Sequence, residues 1–224
     1  FQEALVPLQR ANELAPENAL VLNNLGHTYL QLEQFPQAET ALKRAVAISP
    51  RYLGYANLGA SLKLQGKYEE AITVYRESME LNPTHYQAWG DVAGAYLWSG
   101  NRPEAERYFQ KAIELGEQAR ATNPKDARLL ALLANYKVAV GDSQPGLSLA
   151  RQAQALASED AEILFIVGEA YELAGLRAES IPRIAGALRR GFPKSILERS
   201  PELAALRADP RLLRQIATPT NNQP

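Results

Sequence analysis

Small residues recur along this chain at nearly constant intervals, and this feature constrains its fold more than any other. The first series comprises Gly26, Gly59, Ala93, Ala134 and Gly168, whose successive sequence separations are 33, 34, 41 and 34. A second series comprises Gly66, Gly100, Gly141 and Gly175, whose separations are 34, 41 and 34. Two series that stay in phase over successive copies indicate a repeat architecture, in which each copy is one structural unit stacked on the next.

Each copy carries two runs of residues with helical spacing. In the first copy these are Leu22, Leu25, Gly26 and Tyr29, then Ala38, Leu42 and Ala45. The small residue of the first series allows two antiparallel helices to approach closely. The glycine of the second series follows the first helix, where a left-handed residue commonly ends it. Pro36 and Pro103 fall at the opening of the second helix, where a missing N–H has no cost.

This pattern resembles the tetratricopeptide-repeat (TPR) family over residues 1–190. The resemblance implies an all-α fold, namely a right-handed superhelical solenoid of antiparallel helix pairs with short C-terminal capping helices. We assign residues 17–190 to five helix pairs and residues 1–16 to the second helix of a truncated leading repeat. A repeat helix without its partner exposes an apolar stripe, so we expect the natural protein to extend further toward its N-terminus.

The long interval, from Ala93 to Ala134, exceeds its neighbours by about seven residues, or about two helical turns. The extra residues fall between Ala112 and Pro124, and we expect one long helix over about 102–122 that projects beyond its neighbours. We assign 191–217 to a C-terminal cap and 218–224 to a disordered tail. In the cap, Ser200-Pro201 and Asp209-Pro210 predict the starts of two short helices. The leucines at 203–216, among them Leu206, Leu212 and Leu213, are predicted to cover the apolar end of the stack.

Composition excludes several classes of function. The formal net charge is −1, which gives no general attraction to nucleic acid. No apolar run approaches the roughly 20 residues of a membrane span, and the absence of cysteine excludes disulfides and thiolate chemistry. The histidines, His27 and His85, lack acidic partners at metal-ligand spacing. We therefore predict no catalytic residues, no metal, no cofactor and no enzymatic activity, whereas the cellular compartment is not fixed by the sequence.

The TPR resemblance further implies that the first helices of successive pairs line a concave groove that binds a peptide or a helical segment of a partner protein. It places in the groove Asn23, Asn24, His27, Asn57, Lys63, Leu64, Asp91, Leu97, Trp98, Arg128, Leu132 and Asn135. The same register adds Leu30, Gln31, Leu53, Phe165, Ile166, Glu169 and Glu172.

Two features of this predicted groove suggest how it binds. Asn24 and Asn57 occupy the same place in consecutive repeats, and each carboxamide offers a donor and an acceptor to a peptide unit. Asparagine is also simply tolerated at solvated positions, so both interpretations stay open. Trp98, with Leu64, Leu97 and Leu132, predicts an aromatic-anchored apolar patch. The alternative is that Trp98 packs against the next repeat or under the long helix.

Two sequence features indicate which partners this chain has. TPR domains that clamp the terminal carboxylate of chaperones carry basic residues in the third repeat, where this chain has Gln87 and Asp91. Asp91 would repel a carboxylate, so we predict that chaperone C-terminal tails are not ligands. The C-terminal third, with Gly191-Phe192-Pro193 and residues 206–211, resembles TPR arrays downstream of kinase or cyclase modules in bacterial signalling proteins, although Ser200-Pro201 departs from their Asp-Pro. This resemblance implies an alternative function as a C-terminal regulatory or oligomerisation module of a larger signalling enzyme, and a homo-oligomer is then expected.

Overall fold

A computed structural model describes residues 1–217 of the chain. Within these residues the structure is helical and contains no strand. The helices are α1 (Gln2–Leu14), α2 (Ala19–Gln31), α3 (Phe35–Ile48), α4 (Tyr52–Leu64), α5 (Tyr68–Leu81), α6 (Tyr86–Trp98), α7 (Arg102–Thr122), α8 (Ala127–Ala139), α9 (Ser143–Leu156), α10 (Ala161–Leu173), α11 (Arg177–Arg189), α12 (Lys194–Arg199), α13 (Ala204–Arg207) and α14 (Pro210–Ala217). The predicted all-α fold class is confirmed. The predicted tail, 218–224, lies outside the described residues.

The glycines of the second series each end the first helix of a pair. Gly66, Gly100, Gly141 and Gly175 have φ values of 78°, 83°, 90° and 77°. Side chains disfavour this left-handed region, which glycine enters without steric cost. The prediction from the spacing is therefore confirmed. In the first repeat the equivalent residue is Glu33, which has a φ of 60°. Because Glu33 is not a glycine, the glycine spacing does not reveal this left-handed residue.

The small residues of the first series lie where the two helices of a pair touch. A Cβ atom added to Gly59 on α4 would lie 2.6 Å from the ring of Tyr75 on α5. A Cβ on Gly168 of α10 would lie 2.8 Å from Ile184 of α11, and one on Gly26 would overlap Leu42. Real Cβ atoms do not approach other atoms so closely, so the close approach of the helices requires glycine at these positions.

The chain divides within α7 into two compact units. The N-terminal unit, residues 1–108, contains α1 to α6 and the first residues of α7. In this unit α2 packs on α3, and α4 packs on α5. Its core is formed by fully buried side chains that include Leu22, Leu42, Leu62, Tyr75 and Val92.

The C-terminal unit begins at residue 109 and contains the rest of α7 with α8 to α14. The extra turns of α7 contact α8, because Gly116 is buried at a place where a Cβ would lie 2.6 Å from Leu133. Lys137 of α8 stands where other repeats have Tyr or Leu, and its Nζ lies 3.2 Å from Glu117 Oε1. The extra turns of α7 thus hold α8 at Gly116 and Glu117, and the expectation that they project beyond their neighbours stays a prediction.

The C-terminal cap contains three helices rather than the two that the sequence predicts. Ser200-Pro201 does not start a helix, because Ser200 ends α12, and α13 begins only at Ala204 after a turn. Asp209-Pro210 does start a helix: Asp209 Oδ1 accepts a hydrogen bond from the backbone N–H of Arg211 at 2.8 Å. The Arg211 side chain and this N–H hold the pKa of Asp209 at about 2.

The apolar side chains of the cap complete the core at this end of the C-terminal unit. Leu203, Leu206 and Leu212 are each 0% exposed and join a cluster with residues of α10 and α11, among them Ile184. Leu213, which was predicted to contribute, is 53% exposed instead. The cap therefore buries one side of its helices and leaves the other side, with Leu213, in water.

Glu39 of α3 anchors the turn between α4 and α5 in the N-terminal unit. Its carboxylate accepts hydrogen bonds from Lys43 (2.6 Å), Lys67 (2.8 Å) and Gln65 (2.8 Å). Burial by itself raises the pKa of Glu39, but these three donors outweigh it and lower the pKa from 4.5 to about 2. The charged form is therefore stabilised by folding.

We expect Glu39→Gln to lower the free energy of unfolding of the N-terminal unit by about 1 kcal/mol at pH 7. Because the pKa of Glu39 in the folded chain is depressed, its contribution is complete above pH 4.5 and is lost as the pH falls toward 2. Urea unfolding of the unsubstituted chain and of the Glu39→Gln variant, between pH 7 and pH 2.5, measures the difference between their free energies of unfolding. The exposed Glu77→Gln is the control, and an equal effect of both substitutions at pH 7 would contradict the assignment.

Candidate functional site

The N-terminal unit presents a row of polar and aromatic side chains on its first helices, α2, α4 and α6, which we call the first-helix face. It comprises Asn23, Asn24, His27, Asn57, Lys63, Leu64, Asp91, Leu97 and Trp98. Asn24 is exposed and the other eight are partly exposed, whereas the stripes of α2, α4 and α6 that pack in the core are buried. The predicted groove residues of this unit are thus accessible. Leu30 differs, because it is 8% exposed and belongs to the core.

An amide pair links two neighbouring first helices. Asn57 Nδ2 donates a hydrogen bond to Asn23 Oδ1 at 3.2 Å, across one full repeat of the sequence. A carboxamide has two donor hydrogens and an oxygen with two lone pairs, so this bond leaves hydrogen-bonding capacity on both side chains. In the sequence, Asn24 and Asn57 occupy equivalent repeat positions. This equivalence does not reveal the contact between Asn57 and Asn23.

Trp98, at the end of α6, packs on the preceding repeat. Lys63 Nζ lies 4.7 Å from the centre of the Trp98 ring, a cation–π distance, and the Tyr68 ring meets it edge-on at 6.5 Å. The indole is nevertheless only partly buried. Since Lys63 and Tyr68 support Trp98 from α4 and α5, the ring is held in place and part of its surface stays accessible.

The two histidines have different surroundings. His27 lies on the first-helix face, where burial lowers its pKa and its Nε2 lies 3.5 Å from Gln31 Nε2. The ring of Phe1 meets His27 edge-on at 5.9 Å. His85 precedes α6 and stacks on Tyr86 at 5.2 Å. Among the described residues, no group of three His, Cys, Asp or Glu side chains is placed to hold a metal ion.

In the C-terminal unit the predicted groove residues of α8 are hydrogen-bonded to α10. Arg128 Nε donates to Glu162 Oε1 at 3.1 Å, and Asn135 Nδ2 donates to Glu169 Oε2 at 2.6 Å. Both pairs are separated by one full repeat, like the amide pair of the N-terminal unit. The two polar pairs join adjacent repeats of this unit, and Leu132, the third predicted groove residue of α8, is partly buried.

The cap covers part of what was predicted to be open groove on α10. Phe165 and Ile166 are 2% and 8% exposed, and the Phe165 ring stacks on Phe192 at 4.2 Å. The prediction that Phe165 and Ile166 line an accessible groove is therefore wrong. Phe165 is covered by Phe192, in the Gly191-Phe192-Pro193 segment that follows α11.

A membrane span requires a long and strongly apolar helix. None of the helices in residues 1–217 meets that requirement.

The paired helices, the left-handed glycines and the glycines at helix contacts define a helical repeat protein of the solenoid class. Models of the tetratricopeptide repeat match residues 19–52, 52–85 and 90–120. Residues 19–85 and 90–120 thus match the tetratricopeptide-repeat family.

Known proteins with similar sequences are much longer than this chain. A tetratricopeptide repeat-containing protein of Caenorhabditis elegans, trd-1, is 30% identical over 107 residues, which are 47% of this chain and 14% of that protein. Anaphase-promoting complex subunit 3 of Schizosaccharomyces pombe is 28% identical over 105 residues, 46% of this chain and 15% of that protein. The matched region thus spans about a seventh of either relative.

Solved structures resemble the whole fold at low sequence identity. A thermophilic TPR protein of Thermus thermophilus aligns with a TM-score of 0.61 at 20% identity, covering 90% of this chain and all of that one. The APC/C hetero-tetramer Cut9–Hcn1 aligns with a TM-score of 0.59 at 16% identity, covering 94% of this chain and 44% of that one. At these identities the likeness shows the fold, which is that of a TPR solenoid.

Proposed function

We propose that this chain is a protein-interaction scaffold whose first-helix face binds an extended segment of a partner protein. The observation that carries the proposal is the linked amide pair Asn23–Asn57 together with a supported, accessible Trp98 ring on the same first-helix face. The first element supplies hydrogen bonds to any backbone, and the second supplies an anchor for an apolar side chain. The relative named as a subunit of the anaphase-promoting complex supports a role in assembly.

The spacing of the first helices suits an extended ligand. Packed helices lie about 8–10 Å apart, and an extended chain rises about 3.3 Å per residue. About three ligand residues therefore span one repeat, so carboxamides on successive first helices meet peptide groups at regular intervals. Because a peptide group needs one donor and one acceptor, the capacity left on Asn23 and Asn57 is sufficient.

The charged side chains on the first-helix face determine which ligand charges are favourable there. Lys63 lies over Trp98, and Asp91 occupies the third-repeat place that follows Asn24 and Asn57. A free carboxylate placed at this position would face Asp91, which is unfavourable. We therefore propose internal or neutral segments as ligands and exclude acidic chaperone tails from the proposal.

Selection of peptides from a displayed random library on the immobilised chain provides ligands with which the proposal is tested. We expect Trp98→Ala to weaken binding of a selected peptide about 30-fold, as is typical of an aromatic hot spot. The double substitution Asn24→Ala/Asn57→Ala is expected to weaken it about 30-fold, by loss of two hydrogen bonds of about 1 kcal/mol each. Fluorescence anisotropy gives the Kd values.

The matched control is Thr73→Ala, an exposed position on the second helix α5. It is expected to leave the Kd unchanged. Full affinity in a folded Trp98→Ala variant, together with full affinity in the asparagine double variant, would remove the first-helix face as the binding site.

The alternative function, a regulatory or oligomerisation module of a larger signalling enzyme, stays a prediction, as does the absence of enzymatic activity. Light scattering of the purified chain distinguishes the alternative, because an oligomerisation module forms a dimer or a larger assembly at micromolar concentration. A monomer that binds selected peptides favours the scaffold.

A further inference from the structure

A pocket of about 340 Å³ lies between α1, α2 and α3 in the N-terminal unit. Its lining includes Asn12, Leu22, Leu25, Tyr29, Ala41 and Arg44. On α2, the residues of the pocket lie about half a turn away from those of the first-helix face. The pocket is open at the protein surface, and it is therefore separate from the site of the proposed function.

The same place in the third repeat is filled by the chain itself. Trp89, Tyr96 and Tyr108 each lie two repeat intervals after Leu22, Tyr29 and Ala41, respectively. The Tyr108 ring stacks on Tyr96 at 5.5 Å and lies 5.6 Å from Trp89. Leu22 and Ala41 are smaller than their counterparts, and this difference explains why the first repeat has an open pocket.

The third repeat also shows how this place binds aromatic rings. The indole N–H of Trp89 donates to the carbonyl of Pro83 at 2.8 Å. The Arg76 and Arg107 guanidinium groups lie 5.7 Å and 5.0 Å from the Tyr96 and Tyr108 rings, at cation–π distances. An aromatic ring at this place therefore has ring, cation and hydrogen-bond partners.

The first repeat offers an aromatic ring, a guanidinium and a hydrogen-bond acceptor around the pocket, without an inserted ring. Tyr29 supplies the counterpart of Tyr96, and its hydroxyl accepts a hydrogen bond from Gln9 at 3.2 Å. Arg44 supplies a guanidinium, held by the carbonyl of Pro16 at 2.7 Å. Asn12 Oδ1 is buried and has no hydrogen-bond partner among the described residues. A buried acceptor without a donor is costly, and a ligand N–H or O–H would satisfy it.

We propose that this pocket binds a tryptophan or tyrosine side chain of a partner polypeptide. The ring packs on Tyr29 in the space that Tyr108 fills in the third repeat, beside Arg44, and its N–H or O–H donates to Asn12 Oδ1. Since the pocket opens at the surface, the backbone that carries the ring stays outside. The chain thus has a second contact point for partners, on the opposite side of α2 from the first-helix face.

Titration of the ¹⁵N-labelled chain with N-acetyl-L-tryptophanamide tests the proposal. We expect saturable chemical-shift changes at the amides of Asn12, Tyr29 and Ala41, and none with N-acetyl-L-leucinamide. Ala41→Tyr is expected to weaken binding at least about tenfold, because the new ring takes the place of the ligand. Thr73→Tyr adds the same ring at an exposed position and is expected to leave the affinity unchanged.

Asn12→Leu is a second pocket variant, which replaces Ala41→Tyr if that variant does not fold. It is also expected to weaken binding of the tryptophan amide. Four results would overturn the proposal: no saturable change around the pocket, equal binding of the leucine amide, full affinity in both pocket variants, or binding of free indole without binding of the tryptophan amide. Because Asn24 and Trp98 report separately on the first-helix face, failure of this proposal is distinguishable from failure of the proposed function.

Discussion

Replacing Leu206 by alanine is expected to lower the free energy of unfolding of the C-terminal unit by about 2–5 kcal/mol, the range for deleting a buried leucine side chain. Leu206 is 0% exposed, and it packs in the cluster that joins α13 to α10 and α11. The substitution leaves a cavity at the end of the stack, where α13 has only four residues and cannot hold its position alone. Loss of the cap would also expose Phe165 and Ile184 to water.

The matched control for this prediction is Leu213→Ala in α14. Leu213 is 53% exposed, so its truncation is expected to change stability by less than about 0.5 kcal/mol. Hydrogen exchange resolves the effect by region and should show faster exchange in α11 and α14 of the Leu206 variant. Equal stability of the two variants would mean that the cap does not complete the core.

Replacing Gly59 by alanine is expected to destabilise the N-terminal unit by about 2 kcal/mol, although alanine favours a helix by about 1 kcal/mol over glycine. The new Cβ would lie 2.6 Å from the ring of Tyr75, which is 2% exposed and surrounded by core residues. A buried ring cannot turn aside as a flexible surface side chain can, so α4 and α5 must separate.

Substitution of Gly94 by alanine is the comparison, because it is expected to change the free energy of unfolding in the opposite direction. Gly94 lies inside α6, and a Cβ there would meet only Lys63 Nζ at 3.7 Å, an ordinary contact. Gly94→Ala is therefore expected to stabilise the unit by about 0.5–1 kcal/mol. Urea unfolding of both variants measures the two changes, and stabilisation by both would contradict the role of Gly59 at the helix contact.

The repeat spacing was sufficient to predict the fold class and the positions at which helices end or touch. Gly66 and Gly59 show why: each fulfils a local geometric requirement that glycine meets better than any other residue, so the requirement is visible in the sequence. Glu33 shows the limit of this reasoning. It adopts the same left-handed conformation without being glycine, because the surrounding turn is fixed by the repeat.

Contacts between repeats were harder to predict. Asn57 meets Asn23, and Asn135 meets Glu169, across a full repeat of sequence, and no local pattern states which neighbour a polar side chain selects. Lys137 departs from the Tyr or Leu of the other repeats, and its partner Glu117 is supplied by the extra turns of α7. These partners depend on how adjacent helices are set against each other, which only the structure gives.

The contacts of the C-terminal cap and of the candidate site likewise depend on how neighbouring elements are set against each other. Phe192 was predicted only as part of a helix stop, yet its ring covers Phe165. Helix α12 was not predicted, because its six residues are too few for a helical period to show. The accessible part of the first-helix face was predicted from repeat position, but repeat position alone does not fix exposure: Leu30 is buried, whereas its equivalents Lys63 and Leu97 are partly exposed.

The location of a selected peptide on the ¹⁵N-labelled chain shows most directly whether the first-helix face binds extended partner segments. We expect saturable chemical-shift changes at Asn24, Asn57 and the indole N–H of Trp98, with an intermolecular contact between the peptide and the Trp98 ring. Changes confined to the second helices α3 and α5, with these three signals unmoved at saturation, would contradict binding at the first-helix face.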